Sequence, residues 1–330
     1  MGEGISLYDE ISRQSRVEGT WEKWKDYRRQ LTDFIMEQIG QNCGEIVIVG
    51  AGACHDIDLE RLADCAEHIT LLDNDASSLL KARLHAGRRQ NIACRVAGVD
   101  GIQEADYRDF CEQLLRYIRQ ADRPDLRAFD EYAITLLTRL FSGDDFEKRS
   151  GQEGKPITQQ SMGQSRKQDG RGFWENLPQT DVCICIGLCS QLQTMFAYPY
   201  HVLRNLLAQR MWCATQNSDC IRQDDKGQCV DTLLMQRNRL VIPKVHDVLL
   251  GSARQKVILG NEYRRSLCKT EIIPRSEDAP LLPGEAIEGA YQAICDIRAR
   301  LCRCTEYTAY WPFDEARGAC YEMILQVVDV

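Results

Sequence analysis

The stretch from residue 45 to residue 75 constrains the fold of this chain more than any other. An apolar run, Ile46 to Val49, predicts a buried parallel strand that stops at Gly50-Ala51-Gly52, where two glycines allow a tight turn. A helical pattern follows, and a second apolar run, His68 to Leu72, is closed by Asp73. Strand, glycine turn, helix, strand and terminal acid predict a βαβ unit with a nucleotide-type site at its carboxyl edge.

The residues after the glycines separate two classes of cofactor. Both classes use an acid such as Asp73, which can accept hydrogen bonds from the two hydroxyls of a ribose. A dinucleotide fingerprint needs a third glycine at position 55, but this chain has His55 there, followed by Asp56. Both would crowd a pyrophosphate, and Asp56 would repel it. S-adenosylmethionine has no phosphate, and its ammonium and sulfonium suit acids, so the sequence favours it over a dinucleotide.

The same stretch resembles the first two motifs of class I S-adenosylmethionine-dependent methyltransferases. The matching elements are the Gly50-x-Gly52 turn and, further along, Leu71-Leu72-Asp73. The chain departs from the family pattern at Ile48, where an acid is common, and at Cys54, where a third glycine is usual. The resemblance implies a Rossmann-like fold and S-adenosylmethionine as cofactor. The cofactor-binding residues it implies are Gly50, Ala51, Gly52, Asp56, Asp73, Asn74, Asp100, Gly101, Gly187 and Leu188.

Further apolar runs extend the sheet. They predict strands at Ile92–Val99, Asp181–Leu188 and Lys256–Leu259, and two more at Thr305–Trp311 and Cys320–Val328. The short connection between the last two requires antiparallel pairing. Class I methyltransferases end their sheet with such a hairpin, which inserts a reversed strand. We therefore expect an α/β fold with a seven-stranded, mostly parallel, doubly wound sheet, a C-terminal antiparallel hairpin and a helical insertion.

The chain divides into an N-terminal helical segment, residues 1–41, and a Rossmann-like domain, residues 42–330. The insertion covers about 104–177 and ends in a polar loop, 148–172, whose composition predicts mobility. That loop is either a lid or a tether. Trp21 and Trp24 lie at helical spacing before the first strand, and they either pack in the core or close over the substrate.

Polar residues that follow the later strands are candidates for the acceptor side. Ser190 and Gln191 follow the fourth strand; they bind a substrate or simply begin the next helix, with Ser190 as its N-cap. Glu262 and Tyr263 follow the fifth strand and are also candidate substrate contacts. No catalytic residue is identified. The candidates for a base are His201 and Tyr198, although a histidine among aromatics is more often packed and hydrogen-bonded.

Composition limits the partners. The net charge is −8 and no basic tract is present, so nucleic acid is an unlikely partner. No apolar run is long enough to span a membrane, and nothing near the N-terminus marks export. Sixteen cysteines without a C-x2-C pair indicate reduced thiols and no metal site, and hence a cytoplasmic protein. The sequence does not define the oligomeric state.

Three functions are compatible with these features. The first is methyl transfer from S-adenosylmethionine to a small-molecule or peptide acceptor. The fourth strand lacks the Asn/Asp-Pro-Pro-Tyr/Phe element of enzymes that act on nucleobase or glutamine nitrogen, which argues against those acceptors. The second is a nicotinamide-dependent oxidoreductase, and the third is a non-catalytic binding module with the methyltransferase fold.

Overall fold

A computed structural model describes most of the chain. It covers residues 17–98, 102, 104–120, 125–141, 177–215, 227–267, 271–276, 279–283, 286–300, 303–314 and 317–330. Asp100 and Gly101, which were predicted to contact the cofactor, lie outside these residues, as does the loop predicted at 148–172.

The described residues form one sheet of eight strands. These are β1 (Cys43–Val49), β2 (Ala66–Asp73), β3 (Ile92–Val96), β4 (Thr180–Ile186), β5 (Ala253–Arg265), β6 (Ile273–Arg275), β7 (Arg303–Asp314) and β8 (Ala319–Asp329). The order across the sheet is β3-β2-β1-β4-β5-β8-β7-β6. The strands from β1 to β5 pair in parallel, whereas β8 is antiparallel to both β5 and β7. The predicted parallel sheet with a C-terminal antiparallel hairpin is therefore confirmed.

The prediction of seven strands was wrong by one. The additional strand is β6, which lies in a stretch where Pro274, Pro280 and Pro283 indicate a loop in the sequence. It is the last strand of the sheet and pairs with β7 alone, in antiparallel register. Pro274 is tolerated there because an edge strand does not need every main-chain N–H for pairing.

Ten helices surround the sheet among the described residues. They are α1 (Thr20–Lys23), α2 (Lys25–Ile39), α3 (Leu59–Leu62), α4 (Ala76–His85), α5 (Glu104–Gln120), α6 (Leu126–Phe141), α7 (Leu188–Gln191), α8 (Thr194–Thr215), α9 (Gly227–Ser252) and α10 (Glu288–Ala299). None of these helices has the length and apolar character that crossing a membrane would require.

The side chains of β1 alternate between the two faces of the sheet, and both sets are apolar, so helices cover both faces. Ile46 and Ile48 are buried in a core that contains residues of α2, α3 and α4. Val47 and Val49 are buried in a second core, together with residues of α9 and α10. This is the doubly wound arrangement that the apolar strand of β1 predicts.

A third core lies within the helical part of the chain. Helices α5, α6 and α8 and the beginning of α9 bury their apolar faces against one another. The carboxylate of Asp130, on α6, is fully buried and accepts hydrogen bonds from the Tyr200 hydroxyl at 2.7 Å and from Arg204 Nε at 2.9 Å. Such a fully paired polar group helps to fix how the two helices pack.

Two strand boundaries differ from prediction in a way that affects the site. β4 ends at Ile186, and Leu188 begins α7 after Gly187. Ser190 is thus inside this short helix and is not its N-cap. β5 continues to Arg265, so that Glu262 and Tyr263 lie within the strand and not after it. The extension of β5 beyond Gly260 is stabilised by pairing with β8, a strand far away in the sequence.

Candidate functional site

The turn after β1 has the backbone conformation that its glycines permit. Gly50 and Gly52 have positive φ angles, 69° and 51°, and the Ala51 N–H donates to the Leu72 carbonyl at 3.0 Å. Cys54, in place of the usual third glycine, also has a positive φ of 48°. Its buried thiol donates to the Ala51 carbonyl at 3.3 Å. The turn therefore keeps a left-handed conformation at this position even with a side chain.

Asp73 joins the end of β2 to this turn. Its carboxylate accepts a hydrogen bond from the Gly52 N–H at 2.7 Å and another from the Asp75 N–H at 2.8 Å. Burial raises the pKa of Asp73, and these main-chain donors oppose that rise. A carboxylate offers about four acceptor positions, so further donors such as ribose hydroxyls can still bind. The adjacent Asn74, another predicted cofactor contact, is half-buried.

The turn after β4 packs directly against the turn after β1. A Cβ added to Gly50 would lie 3.1 Å from the Cβ of Leu188. Gly187 has a φ of 74°, and a Cβ added there would lie 3.0 Å from Oε1 of Glu262. The structure thus brings the predicted cofactor residues Gly50, Gly187 and Leu188 next to a predicted substrate residue, Glu262.

Glu262 is a buried acid with neutral hydrogen-bond donors. It is 3% exposed and accepts hydrogen bonds from the Ser190 hydroxyl and, at 3.0 Å, from Nε2 of Gln191. Burial raises the pKa of Glu262 to about 7, and these two donors oppose the rise. Ser190, Gln191 and Glu262 were all predicted on the acceptor side, and the structure places them in contact.

Helix α2 packs over this edge of the sheet and holds the loop that contains Asp56. Nη1 of Arg28 donates to the His55 carbonyl at 3.0 Å, and Oγ1 of Thr32 accepts from the Asp58 N–H at 2.8 Å. Burial raises the pKa of Asp56 to about 6, and main-chain donors and the Arg28 charge oppose the rise. The predicted cofactor residue Asp56 therefore lies under a helix from the N-terminal segment.

Tyr27 joins α2 to β8 beside Glu262. Its buried hydroxyl donates to Sδ of Met323 at 2.9 Å, and Met323 is the β8 partner of Glu262. Burial raises the pKa of Tyr27, and the charges of Asp56 and Glu262 raise it further. Neither Tyr27 nor Met323 was predicted. No local pattern could identify them, because the contact joins residues 296 positions apart.

The two N-terminal tryptophans have different environments. Trp24 is buried, its ring lies 4.9 Å from that of Trp311, and its Nε1 donates to the Phe313 carbonyl. Trp21 stacks on His85 with ring centroids 3.7 Å apart. Trp24 thus packs in the core, as one of the two interpretations of the sequence expected.

A second polar cluster connects α7 with α9 and α10. Sγ of Cys189 is 3.9 Å from Nε2 of His246, whose Nδ1 is 2.6 Å from Oδ2 of Asp296. A hydrogen bond with Cys185 and the neighbouring His246 together lower the pKa of Cys189 to about 6, although burial opposes them. The partnership with Asp296 and Cys189 raises the pKa of His246 to about 9, against burial. No base beside Cys189 could be identified from sequence, because the contact with His246 spans 57 positions.

Three residues that were predicted to bind substrate or act as a base make no hydrogen bond or ion pair with Asp73 or Glu262 among the described residues. Tyr263 points into a separate apolar cluster with Ile294 and Ile324, and its hydroxyl accepts from the Leu282 N–H. His201 pairs with Asp231 at 2.9 Å between α8 and α9. Among the described residues, no hydrogen bond or ion pair joins His201 or the exposed Tyr198 to Asp73 or Glu262.

Ten cysteines of the described part are free thiols, and they include Cys183 and Cys185 in the core. Cys320 is disulfide-bonded, so the expectation of reduced thiols fails at that residue.

The strand order and the glycine turn together define the class of fold. A parallel sheet ordered β3-β2-β1-β4-β5, a reversed β8 between β5 and β7, and a glycine turn tied to an acid at the end of β2 form the class I S-adenosylmethionine-dependent methyltransferase fold. The fold implied by the sequence resemblance is therefore confirmed.

Solved methyltransferases are similar to this chain over nearly its whole length. The N-methyltransferase NodS from Bradyrhizobium japonicum WM9, in complex with S-adenosyl-L-homocysteine, is 10% identical over 98% of this chain and 98% of its own, with a TM-score of 0.41. A putative O-methyltransferase from Klebsiella pneumoniae is 10% identical over 97% of this chain and 94% of its own, with a TM-score of 0.39. The assignment of the fold rests on the strand order and the glycine turn, and not on these similarities. No protein-family model matches the chain, and no curated protein matches it.

Proposed function

We propose that this protein transfers a methyl group from S-adenosylmethionine to a small-molecule or peptide acceptor. The observation that carries the proposal is the hydrogen bond from the Gly52 N–H to the Asp73 carboxylate. It holds the glycine turn and the acid of the second strand together at the carboxyl edge of a methyltransferase sheet, where ligands of such sheets bind. The cytoplasmic location expected from the sequence is part of the proposal; the ten free thiols among the described cysteines support it, and the disulfide at Cys320 counts against it.

The residues present fit this cofactor. Asp73 would accept hydrogen bonds from the ribose, and the Gly50–Gly52 turn would let the main chain approach the methionine portion closely. Asp56, in the loop after the glycine turn, supplies negative charge near a ligand that carries an ammonium and a sulfonium. S-adenosylmethionine, when bound, supplies an electrophilic methyl group, and the protein's part is then to align an acceptor with it.

A nicotinamide dinucleotide fits less well. Asp56 lies in the loop after the glycine turn, and the charge of Asp56 would repel a pyrophosphate. The charge of Arg28 acts on Asp56, but Nη1 of Arg28 already donates to two main-chain carbonyls, those of Trp21 and His55. The loop therefore offers an anion no strong site, whereas a cationic ligand would meet a carboxylate.

Calorimetric titration with S-adenosylmethionine, S-adenosylhomocysteine and NAD, in parallel, tests the proposal. We expect the first two to bind and NAD not to bind. Binding of NAD alone would overturn the proposal in favour of an oxidoreductase. Failure of all three ligands to bind would also contradict it and favour the non-catalytic binding module.

A further inference from the structure

Glu262 is unusual among the buried acids of this sheet. It is 3% exposed, and its two hydrogen-bond donors, Ser190 and Gln191, are both neutral. No cation forms an ion pair with Glu262 within the part of the chain that the structure describes. Since a buried carboxylate is costly without a positive partner, this acid lacks the group that would make its charge favourable.

Two other buried glutamates show what this protein does with an acid that has a structural role. Glu306 is 3% exposed and forms an ion pair with Arg298 at 2.6 Å. Glu322 is 5% exposed and forms an ion pair with Arg264 at 3.1 Å. The sheet thus pairs its structural glutamates with arginine, and Glu262 departs from this pattern at the edge where ligands bind.

Among the described residues, the charge that acts on Glu262 is negative, and no salt bridge brings a cation to it. Asp56 acts on Glu262 electrostatically and raises its pKa, so the two acids lie close enough to interact. The Tyr27 hydroxyl donates a hydrogen bond to Sδ of Met323, so only its oxygen, an acceptor, is available to a ligand. A carboxylate or phosphate on an acceptor would be repelled here, and a hydroxyl would bring no charge. A protonated amine would bring both the missing charge and N–H donors.

We propose that Glu262 binds a protonated amine and removes its proton, so that the methyl acceptor is an amine. This inference rests on the proposed function. In the proton transfer, an N–H bond of the ammonium breaks, the proton moves to an Oε of Glu262, and the electron pair stays on the nitrogen. The nitrogen is then neutral and nucleophilic. Ser190 and Gln191 orient the carboxylate during this step, and their neutrality leaves its charge available to the amine.

The amine-bearing cofactor analogue sinefungin provides a test that needs no knowledge of the acceptor. Sinefungin carries a primary amine in place of the methylated sulfur, whereas S-adenosylhomocysteine carries no charge there. We expect the wild-type protein to bind sinefungin at least about tenfold more tightly than S-adenosylhomocysteine, the contribution of one charge-assisted hydrogen bond. Glu262→Gln should remove most of this preference, because it should weaken the binding of sinefungin much more than the binding of S-adenosylhomocysteine.

Three comparisons make the test decisive. Glu67→Gln makes the same chemical change at an exposed residue near the start of β2, at the opposite edge of the sheet, and should keep the preference. Glu262→Asp keeps the charge but shortens its reach, and an intermediate preference is expected even if Glu262→Gln folds poorly. Thermal melting of each variant reports whether it is folded.

The outcomes separate the inference from the proposed function. If S-adenosylhomocysteine does not bind the wild-type protein, the proposed function fails. If it binds but sinefungin binds no more tightly, only the amine inference is overturned. The amine inference would also be overturned if the wild-type protein preferred S-adenosylmethionine over S-adenosylhomocysteine as strongly as it prefers sinefungin, and if Glu262→Gln lost both preferences. Glu262 would then recognise the cofactor's sulfonium, which has no N–H to donate.

Discussion

The main-chain N–H of Gly52 donates a 2.7 Å hydrogen bond to the side chain of Asp73. These residues lie 21 positions apart: Gly52 is in the turn after β1, and Asp73 is the last residue of the neighbouring strand β2. The bond fixes the glycine turn relative to the acid that would hold a ribose, so the two halves of the predicted cofactor site are connected before any ligand binds.

Replacement of Asp73 should weaken cofactor binding. Asp73→Ala removes the acceptor of the ribose and of the Gly52 N–H, and we expect a loss of more than about 1 kcal/mol in the binding of S-adenosylhomocysteine. Asp73→Asn keeps one acceptor oxygen and should lose less. Calorimetry gives the affinities, with Asp64→Ala as an exposed control. Unchanged affinity in Asp73→Ala would refute the ribose assignment.

Gly187 should resist substitution for two separate reasons. Its φ of 74° is left-handed, and an added Cβ would lie 3.0 Å from Oε1 of Glu262. Gly318 has a similar φ of 66° but open space around its Cβ position, so Gly318→Ala measures the backbone strain alone. We expect that strain to cost about 1–2 kcal/mol in the free energy of unfolding. Gly187→Ala should lower the free energy of unfolding more than Gly318→Ala, as measured by denaturant unfolding. Equal losses would show that Glu262 moves aside without cost.

The stability of the protein should depend on pH through Glu262. Its pKa in the folded state is about 7, above the ordinary 4.5, so the folded protein holds a proton that the unfolded chain has lost between these values. The stabilisation is complete below the lower value and is lost as pH rises through about 7. Glu262→Gln lacks this loss, so its stability relative to wild type should rise by up to about 3 kcal/mol between pH 5 and pH 8. Urea unfolding at the two pH values measures the difference, and a constant difference would contradict the account.

Cys189 should be a thiolate at neutral pH. The hydrogen bond with Cys185 and the neighbouring His246 lower its pKa to about 6. The ultraviolet absorption of a thiolate should therefore be present at pH 8 and disappear as pH falls through about 6. Cys189→Ser should abolish the signal and His246→Asn should reduce it. Cys183→Ser is a matched control, since burial raises the pKa of Cys183 to about 12. Persistence of the signal in Cys189→Ser would assign the thiolate to another cysteine.

Local patterns predict much of this structure and long-range contacts limit the rest. The βαβ unit could be predicted because the apolar runs of β1 and β2 and the glycine turn between them are continuous in sequence. The extension of β5 to Arg265 could not, because β8, its partner there, lies far along the chain. Edge strand β6 was missed for a similar reason, since its prolines indicate a loop until pairing with β7 is known.

The site shows the same division. Gly50, Gly52 and Asp73 follow from motif spacing, and Glu262 from its place near the end of a predicted strand. The contacts of Tyr27 with Met323 and of Cys189 with His246 join residues that no pattern connects. Tertiary packing also decides whether a residue near the end of a strand lies in the site. Tyr263 follows Glu262 in sequence but points to the opposite face, as alternation along a strand requires.

A crystal structure of the complex with S-adenosylhomocysteine would show whether Asp73 holds the ribose. We expect both ribose hydroxyls to lie within hydrogen-bond distance of the Asp73 carboxylate, at about 2.5–3.0 Å. We also expect the methionine portion to follow the Gly50–Gly52 turn and its sulfur to face the side of the site where Glu262 lies. Ligand bound away from Asp73 would contradict the assignment of this edge as the cofactor site.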